Sequence, residues 1–321
     1  MRYTGRLVAA ATLALTAFTH AAYARTGPPR IALVIPGPPN CVKDALTIPA
    51  MRESGIDPAT VQQYCYSELR DVPQQMRDIV RTKPDVLLIF ASAVAARAAR
   101  EASSTLPIVF ADVQDPVKNG LAKSLAHPGL NMTGITNNSD EILGKRIEII
   151  REALPEVGRI AVLGNLGNEG QRAYLRIAED AARSLRIEPR LYEVQSPEEL
   201  QAAFVAMERD HMQVVLLLPD AWFFRHRAEL AALAATHHVP LVTGNVMYGE
   251  LGGLITYGAN LPAMAKRAWL YVHKILDGAN PGDLPAEQPT ELDFIVNAKT
   301  AREQGLKISP TAMMRATRVI E

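Results

Sequence analysis

Short apolar runs alternate with amphipathic segments along most of the chain. Intervening segments such as 141–153 and 171–185 carry Leu, Ile and Ala at helical spacing. The apolar runs are continuous rather than alternating, which predicts a sheet buried on both faces and hence parallel βαβ units with helices on each side. In chain order, the runs are RIALVIP, TVQQYCY, DVLLIF, LPIVFAD, RIAVLG, PRLYEV, VVLLLPD and VPLVTGN.

The order of strands and helices in the first half repeats in the second, which predicts an α/β fold of two doubly wound parallel-sheet lobes. The joint between them is expected between NMTGIT and a helix that begins near Ser139. A helix at 262–277, the strand ELDFIVN and the helix AKTAREQGL follow the second repeat, so the chain is expected to cross between the lobes more than once. Such a multi-crossing hinge makes a cleft that can close. The predicted lobes are 25–136 plus 250–285 and 137–249 plus 286–321.

The first residues have the pattern of a cleaved signal peptide. Arg2 and Arg6 precede the apolar stretch LVAAATLALTAF, which is too short to span a bilayer, and Ala22 and Ala24 suit a signal peptidase. We therefore expect residues 1–24 to be removed and the mature protein to be exported to the periplasm. The 321 residues contain 34 basic and 34 acidic side chains, so no charge excess points to nucleic acid.

Two cysteines, Cys41 and Cys65, are present. Cys41 follows the first predicted strand and Cys65 lies near the end of the second, so adjacent parallel strands bring both to one edge. An oxidising compartment favours a disulfide between them, and two buried free thiols are the alternative.

The glycine-spaced loop RIAVLGNLGNEGQ raises the question of dinucleotide binding. Gly164, Gly167 and Gly170 follow the spacing G-x-x-G-x-x-G, whereas the dinucleotide fingerprint requires G-x-G-x-x-G after the strand. A hydrolase elbow is also missing, because Ser92 has no flanking glycines. The pair His237–His238 lacks further residues at metal-ligand spacing. We therefore expect no cofactor, no metal and no enzymatic activity.

Ligands of open parallel sheets bind outside the carboxyl ends of the strands, so polar residues there are the candidates. Asp220 fits either a ligand contact or the N-cap of the next helix. The Trp222 indole fits either a stacking surface for a ligand or a packing role. The candidate ligand-binding residues are Ser92, Ala93, Asp115, Asn137, Asn165, Asn168, Asp220, Trp222 and Asn245.

Two long ordered motifs resemble the periplasmic substrate-binding proteins of ABC importers, a family that includes binders of tryptophan and other aromatic amino acids. The resemblance runs from about residue 85 to 321. Its matching residues are Pro107, Asp115-Pro116-Val117, Pro128-Gly129, Asn131, Thr133-Gly134, Asn297, Lys299-Thr300-Ala301, Gly305-Leu306, Pro310 and Arg315-Ala316.

The sequence departs from this family at the strand ends. Ser92-Ala93-Val94-Ala95 stands where the aromatic binders have Ala-Thr-Pro-Ala, Thr136-Asn137 replaces Ser-Asp, and Asp220-Ala221 replaces Asp-Asn. Residues 167–170 replace the loop Ser-Glu-x-Asn-Ser. An α-amino acid needs an acid for its ammonium, which Asp220 can supply. An aromatic amino acid is therefore one candidate, beside other small polar solutes.

The resemblance implies a solute receptor that closes two lobes on a small molecule and delivers it to an ABC permease in the inner membrane. We expect it to act as a monomer, without nucleic acid. The alternative is a periplasmic sensor subunit that presents its closed form to a signalling receptor, because transport and sensing use the same closing lobes.

Overall fold

The fold contains two sheets surrounded by helices, and the computed structural model describes residues 27–37, 47–137, 139–167 and 171–321. The strands are β1 (Ile31–Pro36), β2 (Val61–Tyr66), β3 (Val86–Phe90), β4 (Ile108–Val113), β5 (Met132–Thr136), β6 (Arg159–Gly164), β7 (Glu188–Glu193), β8 (Val214–Leu217), β9 (Leu241–Thr243), β10 (Ile255–Ala259), β11 (Leu292–Asn297) and β12 (Arg318–Ile320). The helices are α1 (Thr47–Glu53), α2 (Val72–Arg81), α3 (Ala93–Ala102), α4 (Ser139–Ala153), α5 (Gln171–Ser184), α6 (Pro197–Arg209), α7 (Ala221–Arg225), α8 (Arg227–Thr236), α9 (Met247–Glu250), α10 (Leu261–Leu276), α11 (Ala298–Glu303) and α12 (Pro310–Arg315).

The predicted α/β class is confirmed by the strand order. Within the described residues, the first sheet has the order β2-β1-β3-β4-β5 and the second the order β12-β11-β10-β9-β8-β6-β7. All pairings are parallel except that of β10 with β11. We call the part of the chain around the first sheet lobe one and the part around the second sheet lobe two.

The continuous apolar strands follow from burial of both faces of each sheet. In β1, Ile31 and Leu33 join the apolar cluster on the face covered by α10, whereas Ala32 and Val34 join the cluster on the opposite face. Helices therefore cover lobe one on both sides, and a buried aliphatic side chain contributes about 1.5–3 kcal/mol to its stability. Lobe two is built in the same way, with two apolar clusters on its faces.

Within the described residues the chain passes between the sheets three times: from β5 to α4, from β10 to α10, and on the way to β11. The helix α10 buries Trp269 against lobe one, and a parallel bridge joins Ile135 to Glu287 before the last crossing. The chain thus leaves the first sheet before Ser139 and crosses several times, while the lobe limits on either side of that joint stay a prediction.

Two predicted boundaries are wrong. Strand β10 pairs with β9 in the second sheet, although segment 250–285 is predicted for lobe one. The sequence pattern groups this strand with the next helix, whereas the chain crosses between them at Asn260, whose side chain caps α10. Residues Ala286 and Glu287 lie with lobe one, not lobe two. The other lobe limits remain a prediction.

The segment after β8 also differs from the single helix expected there. It forms α7 and α8, which are separated at His226, where the backbone leaves helical geometry. No helix among the described residues is long and apolar enough to cross a membrane.

Candidate functional site

The segments after β2 of lobe one and β8 of lobe two meet through a hydrogen bond, and we call the space between the carboxyl ends of the strands of the two lobes the cleft. Arg225 of α7, in lobe two, donates a hydrogen bond from Nη1 to the carbonyl of Ser67, which follows β2 in lobe one, at 2.7 Å. Beneath this contact the buried Tyr66 phenol is hydrogen-bonded to the Ser92 side chain. Burial raises the pKa of Tyr66, and both Ser92 and the Arg225 charge oppose that rise. A polar cluster thus joins the lobes at the carboxyl ends of β2 and β3.

The end of β4 carries an aspartate in an unusual backbone conformation. The pairing of β4 with β5 shifts register between Ala111 and Val113, and Asp112, between them, has a φ of 57°. Bulges next to binding sites redirect a side chain, and positive φ at a residue other than glycine is costly and concentrates at functional sites. Burial raises the pKa of Asp112 to about 6, and a hydrogen bond from Asn137 opposes the rise.

Of the predicted residues in lobe one, Asn137 lies closest to this aspartate. Its Nδ2 donates to the Asp112 carbonyl at 3.3 Å. Asp115 lies on the same edge but is exposed, and its Oδ1 accepts the Lys118 amide at 2.9 Å in a local turn. The hydroxyl of Ser92 caps α3 by accepting the Ala95 amide at 3.0 Å, and Ala93 begins that helix half-buried.

In lobe two a buried glutamine connects two strand ends. Gln171 accepts the Asn165 amide at 3.1 Å through Oε1 and donates to the Pro219 carbonyl at 2.7 Å through Nε2. It therefore fixes the loop after β6 against the loop after β8. Asp220, next in the chain, accepts the Trp222 amide on Oδ1 at 2.7 Å and has extended backbone geometry. The predicted N-cap of this helix is confirmed, and a ligand contact of Asp220 stays a prediction.

Two further predicted residues in lobe two are held by their own neighbours. Trp222 is half-buried, stacks on His226 with ring centroids 4.1 Å apart, and meets Phe223 edge-on. Asn245 accepts the Met247 amide at 3.0 Å and so starts the turn after β9. Both residues lie at strand ends as predicted, and their ligand contacts stay predictions.

A buried arginine lies against the end of β9. Arg146 of α4 is 4% exposed, and its Nε donates to the Tyr257 carbonyl at 2.7 Å. A Cβ on Gly244 would lie 1.7 Å from Arg146 Nη2, so only glycine leaves room for the guanidinium there. Burial lowers the pKa of Arg146 to about 10, which the Tyr174 and Tyr257 phenols partly oppose. The group therefore stays charged at neutral pH.

The described residues contain no group of three His, Cys, Asp or Glu side chains placed to hold a metal ion. His237 is hydrogen-bonded through Nδ1 to Glu208 at 2.7 Å. Both lie on the outer part of lobe two, at the ends of α8 and α6.

The structure brings Ser92, Asn137, Asn165, Asp220 and Asn245 to the strand ends on the two sides of the cleft. Asn168 and Cys41 lie outside the described residues, so the role of the first and the disulfide to Cys65 stay predictions. Asp112 belongs to a strand end that the sequence marks, whereas Arg146, Gln171 and Arg225 were not singled out. Gln171 flanks a predicted strand end and could have been found there, whereas Arg146 and Arg225 lie on helices.

Two lobes of mostly parallel sheets, joined by several crossings, form a type I periplasmic binding protein-like fold. The family of ABC transporter substrate binding proteins matches residues 42–320, and the chain belongs to that family. Its members are solute-binding proteins, not enzymes, as predicted.

Individual relatives are distant in sequence but similar in fold. A tyrosine-binding protein of Clostridioides difficile is 24% identical over 216 residues, which is 67% of this chain and 62% of that protein. A conserved domain protein of Vibrio cholerae has a TM-score of 0.78 at 24% identity, over 91% of this chain and 99% of that one. A Streptococcus pneumoniae ABC domain in complex with L-Trp has a TM-score of 0.79 at 19% identity, over 92% and 100%.

Proposed function

We propose that this protein is the solute-binding component of an ABC importer, closing its two lobes on a small polar solute and presenting the closed form to a permease. The observation that carries the proposal is the polar cleft between two lobes, bridged by the hydrogen bond from Arg225 to the Ser67 carbonyl. Family membership supports the same role.

The mechanism is differential binding, with no bond made or broken. Contacts from lobe one, such as Ser92 and Asn137, and contacts from lobe two, such as Asn165 and Asn245, can reach one solute together only when the lobes are closed. A solute that gains contacts in the closed form shifts the open–closed equilibrium toward it. We expect the Arg225–Ser67 contact to be made in the closed form and to add to that shift.

An aromatic amino acid is the first solute to test. The names of two relatives, a tyrosine-binding protein and a protein in complex with L-Trp, support this choice. The half-buried Trp222 indole, two residues after Asp220, offers an apolar surface. Small carboxylates and purines are the alternatives for the same screen.

The direct test is a thermal-shift screen of the mature protein, from Arg25 onward, against amino acids, small carboxylates, purines and sugars. One class of solute should raise the melting temperature in proportion to the logarithm of its concentration, because a ligand that binds only the folded state stabilises it by mass action. Chemical turnover of the bound solute, or no stabilisation by any class, contradicts the proposal.

Export and the disulfide form a second part of the proposal. We expect the signal peptide to be removed after Ala24 and the mature monomer to act in the periplasm beside an inner-membrane permease. Strands β1 and β2 are adjacent and parallel, with Cys65 opposite Ile35 near their carboxyl ends, which suits the predicted bond to Cys41. Intact-mass analysis of exported protein should find both thiols protected from alkylation until reductant is added. Two thiols alkylated without reductant contradict it.

A further inference from the structure

We infer that Asp112 and Arg146 are the charge-selecting residues of the solute site, Asp112 binding a cationic group from lobe one and Arg146 an anionic group from lobe two. The inference rests on the proposed receptor function and goes beyond it, because it states which residues recognise the charges of the solute.

Asp112 is placed for this role by the backbone. The bulge at the end of β4 and the φ of 57° turn it out of the regular strand pattern at the cleft edge. No basic side chain among the described residues forms a salt bridge with it; the Asn137 side chain is its hydrogen-bond partner. A carboxylate enclosed by protein without a cation is costly unless its partner arrives from outside.

Arg146 is also a charged group without a salt-bridge partner among the described residues, and its charge is positive. Its Nε is held by the Tyr257 carbonyl, and the buried Nη1 has no hydrogen-bond partner among the described residues. Long side chains on a helix lean toward its N-terminus. For α4 that end lies at the junction of the lobes, where Asp140 accepts a hydrogen bond from Gln114 Nε2 of lobe one at 2.8 Å. The guanidinium rests against Gly244, the first residue after β9, where no larger residue fits.

The two residues come from different lobes, so one solute satisfies both only when the cleft is closed. Charge-assisted hydrogen bonds are the strongest polar contacts available to a small ligand, and arginine offers a paired donor geometry to a carboxylate. Neither charge has a salt-bridge partner among the residues that the structure describes, and a solute carrying an ammonium and a carboxylate matches both. Asp112 and Arg146 therefore make closure of the lobes depend on the charges of the solute.

The test is a calorimetric titration with three probes that share one ring: L-tyrosine, tyramine, which lacks the carboxylate, and 3-(4-hydroxyphenyl)propionate, which lacks the ammonium. The wild-type protein should bind L-tyrosine at least about tenfold more tightly than either analogue, the effect expected for one charged hydrogen bond. The same set built on tryptophan and on an aliphatic amino acid extends the test to other side chains.

Variants assign each charge to a residue. Asp112→Asn should weaken the binding of L-tyrosine at least about tenfold. It should leave the binding of the propionate nearly unchanged, because that probe has no ammonium for Asp112 to contact. Arg146→Gln should weaken the binding of L-tyrosine by a similar factor and leave the binding of tyramine nearly unchanged. Arg146→Lys should restore part of the lost affinity for L-tyrosine. A merely structural role for either residue weakens all three probes equally.

Matched controls keep the outcome interpretable. Asp85→Asn changes an aspartate at the opposite, amino end of the first sheet, where its carboxylate accepts the Arg30 amide at 2.7 Å. Arg151→Gln changes an arginine of the same helix α4 that donates to the Pro155 and Leu185 carbonyls. Both controls should keep the wild-type order of the probes.

The experiment distinguishes a wrong charge assignment from a wrong receptor function. If a neutral or singly charged solute binds as tightly as its zwitterionic counterpart, or if Asp112→Asn and Arg146→Gln keep wild-type discrimination, the charge assignment is wrong and the receptor function stands. If no probe and no solute of the thermal-shift screen binds the wild-type protein, the receptor function itself is wrong.

Discussion

Asp112 lies near the end of β4 in lobe one and Asp220 follows β8 in lobe two, yet their carboxyl groups are used differently. Asp220 starts α7 in extended geometry, and its Oδ1 accepts the Trp222 amide at 2.7 Å. Asp112 lies in a bulge at positive φ and starts no helix. Burial raises the pKa of Asp112 to about 6.

The difference separates polar groups that stabilise the fold from polar groups that cost stability. A helix cap such as Asp220 contributes about 1 kcal/mol to folding. A strained, enclosed carboxylate without a cation destabilises the folded state and is retained where another molecule uses it. By this criterion the counterpart of Asp112 in lobe two is Arg146, the buried guanidinium against Gly244, and not Asp220.

The largest effect is expected from a substitution that fills the space of the Arg146 guanidinium. In Gly244→Ala the new Cβ would lie 1.7 Å from Arg146 Nη2, so the side chain must leave its place. We expect the free energy of unfolding to fall by about 2–3 kcal/mol, as measured by urea denaturation, together with loss of solute binding. The control Gly158→Ala, whose nearest contact is Gln213 Oε1 at 3.8 Å, should change stability by less than about 0.5 kcal/mol. Unchanged stability and binding in Gly244→Ala contradict the placement of Arg146.

The next effect is a pH-dependent change in melting temperature that we expect for a variant of Asp112 but not for one of Asp220. A carboxyl whose pKa is raised in the folded state stabilises that state through its protonated form, so this contribution is complete below about pH 4 and is lost as pH rises through about 6. Asp112→Asn removes the charged form and should melt about 2–4 °C above wild type at pH 7.5. The difference should shrink toward pH 5.

Asp220→Asn is the matched comparison for stability, because asparagine caps helices about as well as aspartate. Its melting temperature should follow wild type at both pH values. Parallel melting curves for Asp112→Asn and wild type across this pH range contradict the raised pKa of the Asp112 carboxyl.

The smallest effect concerns the contact between the lobes. Arg225→Met removes the hydrogen bond to the Ser67 carbonyl and should weaken solute binding about 3–10-fold, the loss expected for one partly exposed charged hydrogen bond. In the control Arg227→Met, a contact inside lobe two is lost, the hydrogen bond from Nη1 to the Phe224 carbonyl at 2.9 Å. That variant should bind within about twofold of wild type. Equal affinities of the two variants show that the Arg225 contact does not support closure.

Much of the fold could be predicted because burial on both faces leaves a direct trace in sequence. The run RIALVIP alternates between two apolar clusters, so every position from Ile31 to Val34 must be apolar. The joint before Ser139 and the cap at Asp220 depend on local chemistry and were also predictable. The boundary at β10 was not, because strand order and crossings depend on which sheet offers an open edge, and Asn260 caps a helix in either case.

The candidate site was predictable only in part. Strand ends located Ser92, Asn137 and Asn245, since the topology of parallel sheets fixes where such residues meet. The bulge that redirects Asp112 leaves no mark in composition or periodicity. Arg146 looks in sequence like a polar position of an amphipathic helix, and only the missing Cβ of Gly244, 98 positions further along, creates its place.

Solution scattering of the mature protein with and without the best solute of the thermal-shift screen tests closure of the two lobes most directly. We predict that the radius of gyration decreases on saturation with solute, that Asp112→Asn and Arg146→Gln need more solute for the same decrease, and that each reaches the wild-type value once saturated. A radius that stays constant while calorimetry shows full occupancy contradicts closure of the lobes around the solute.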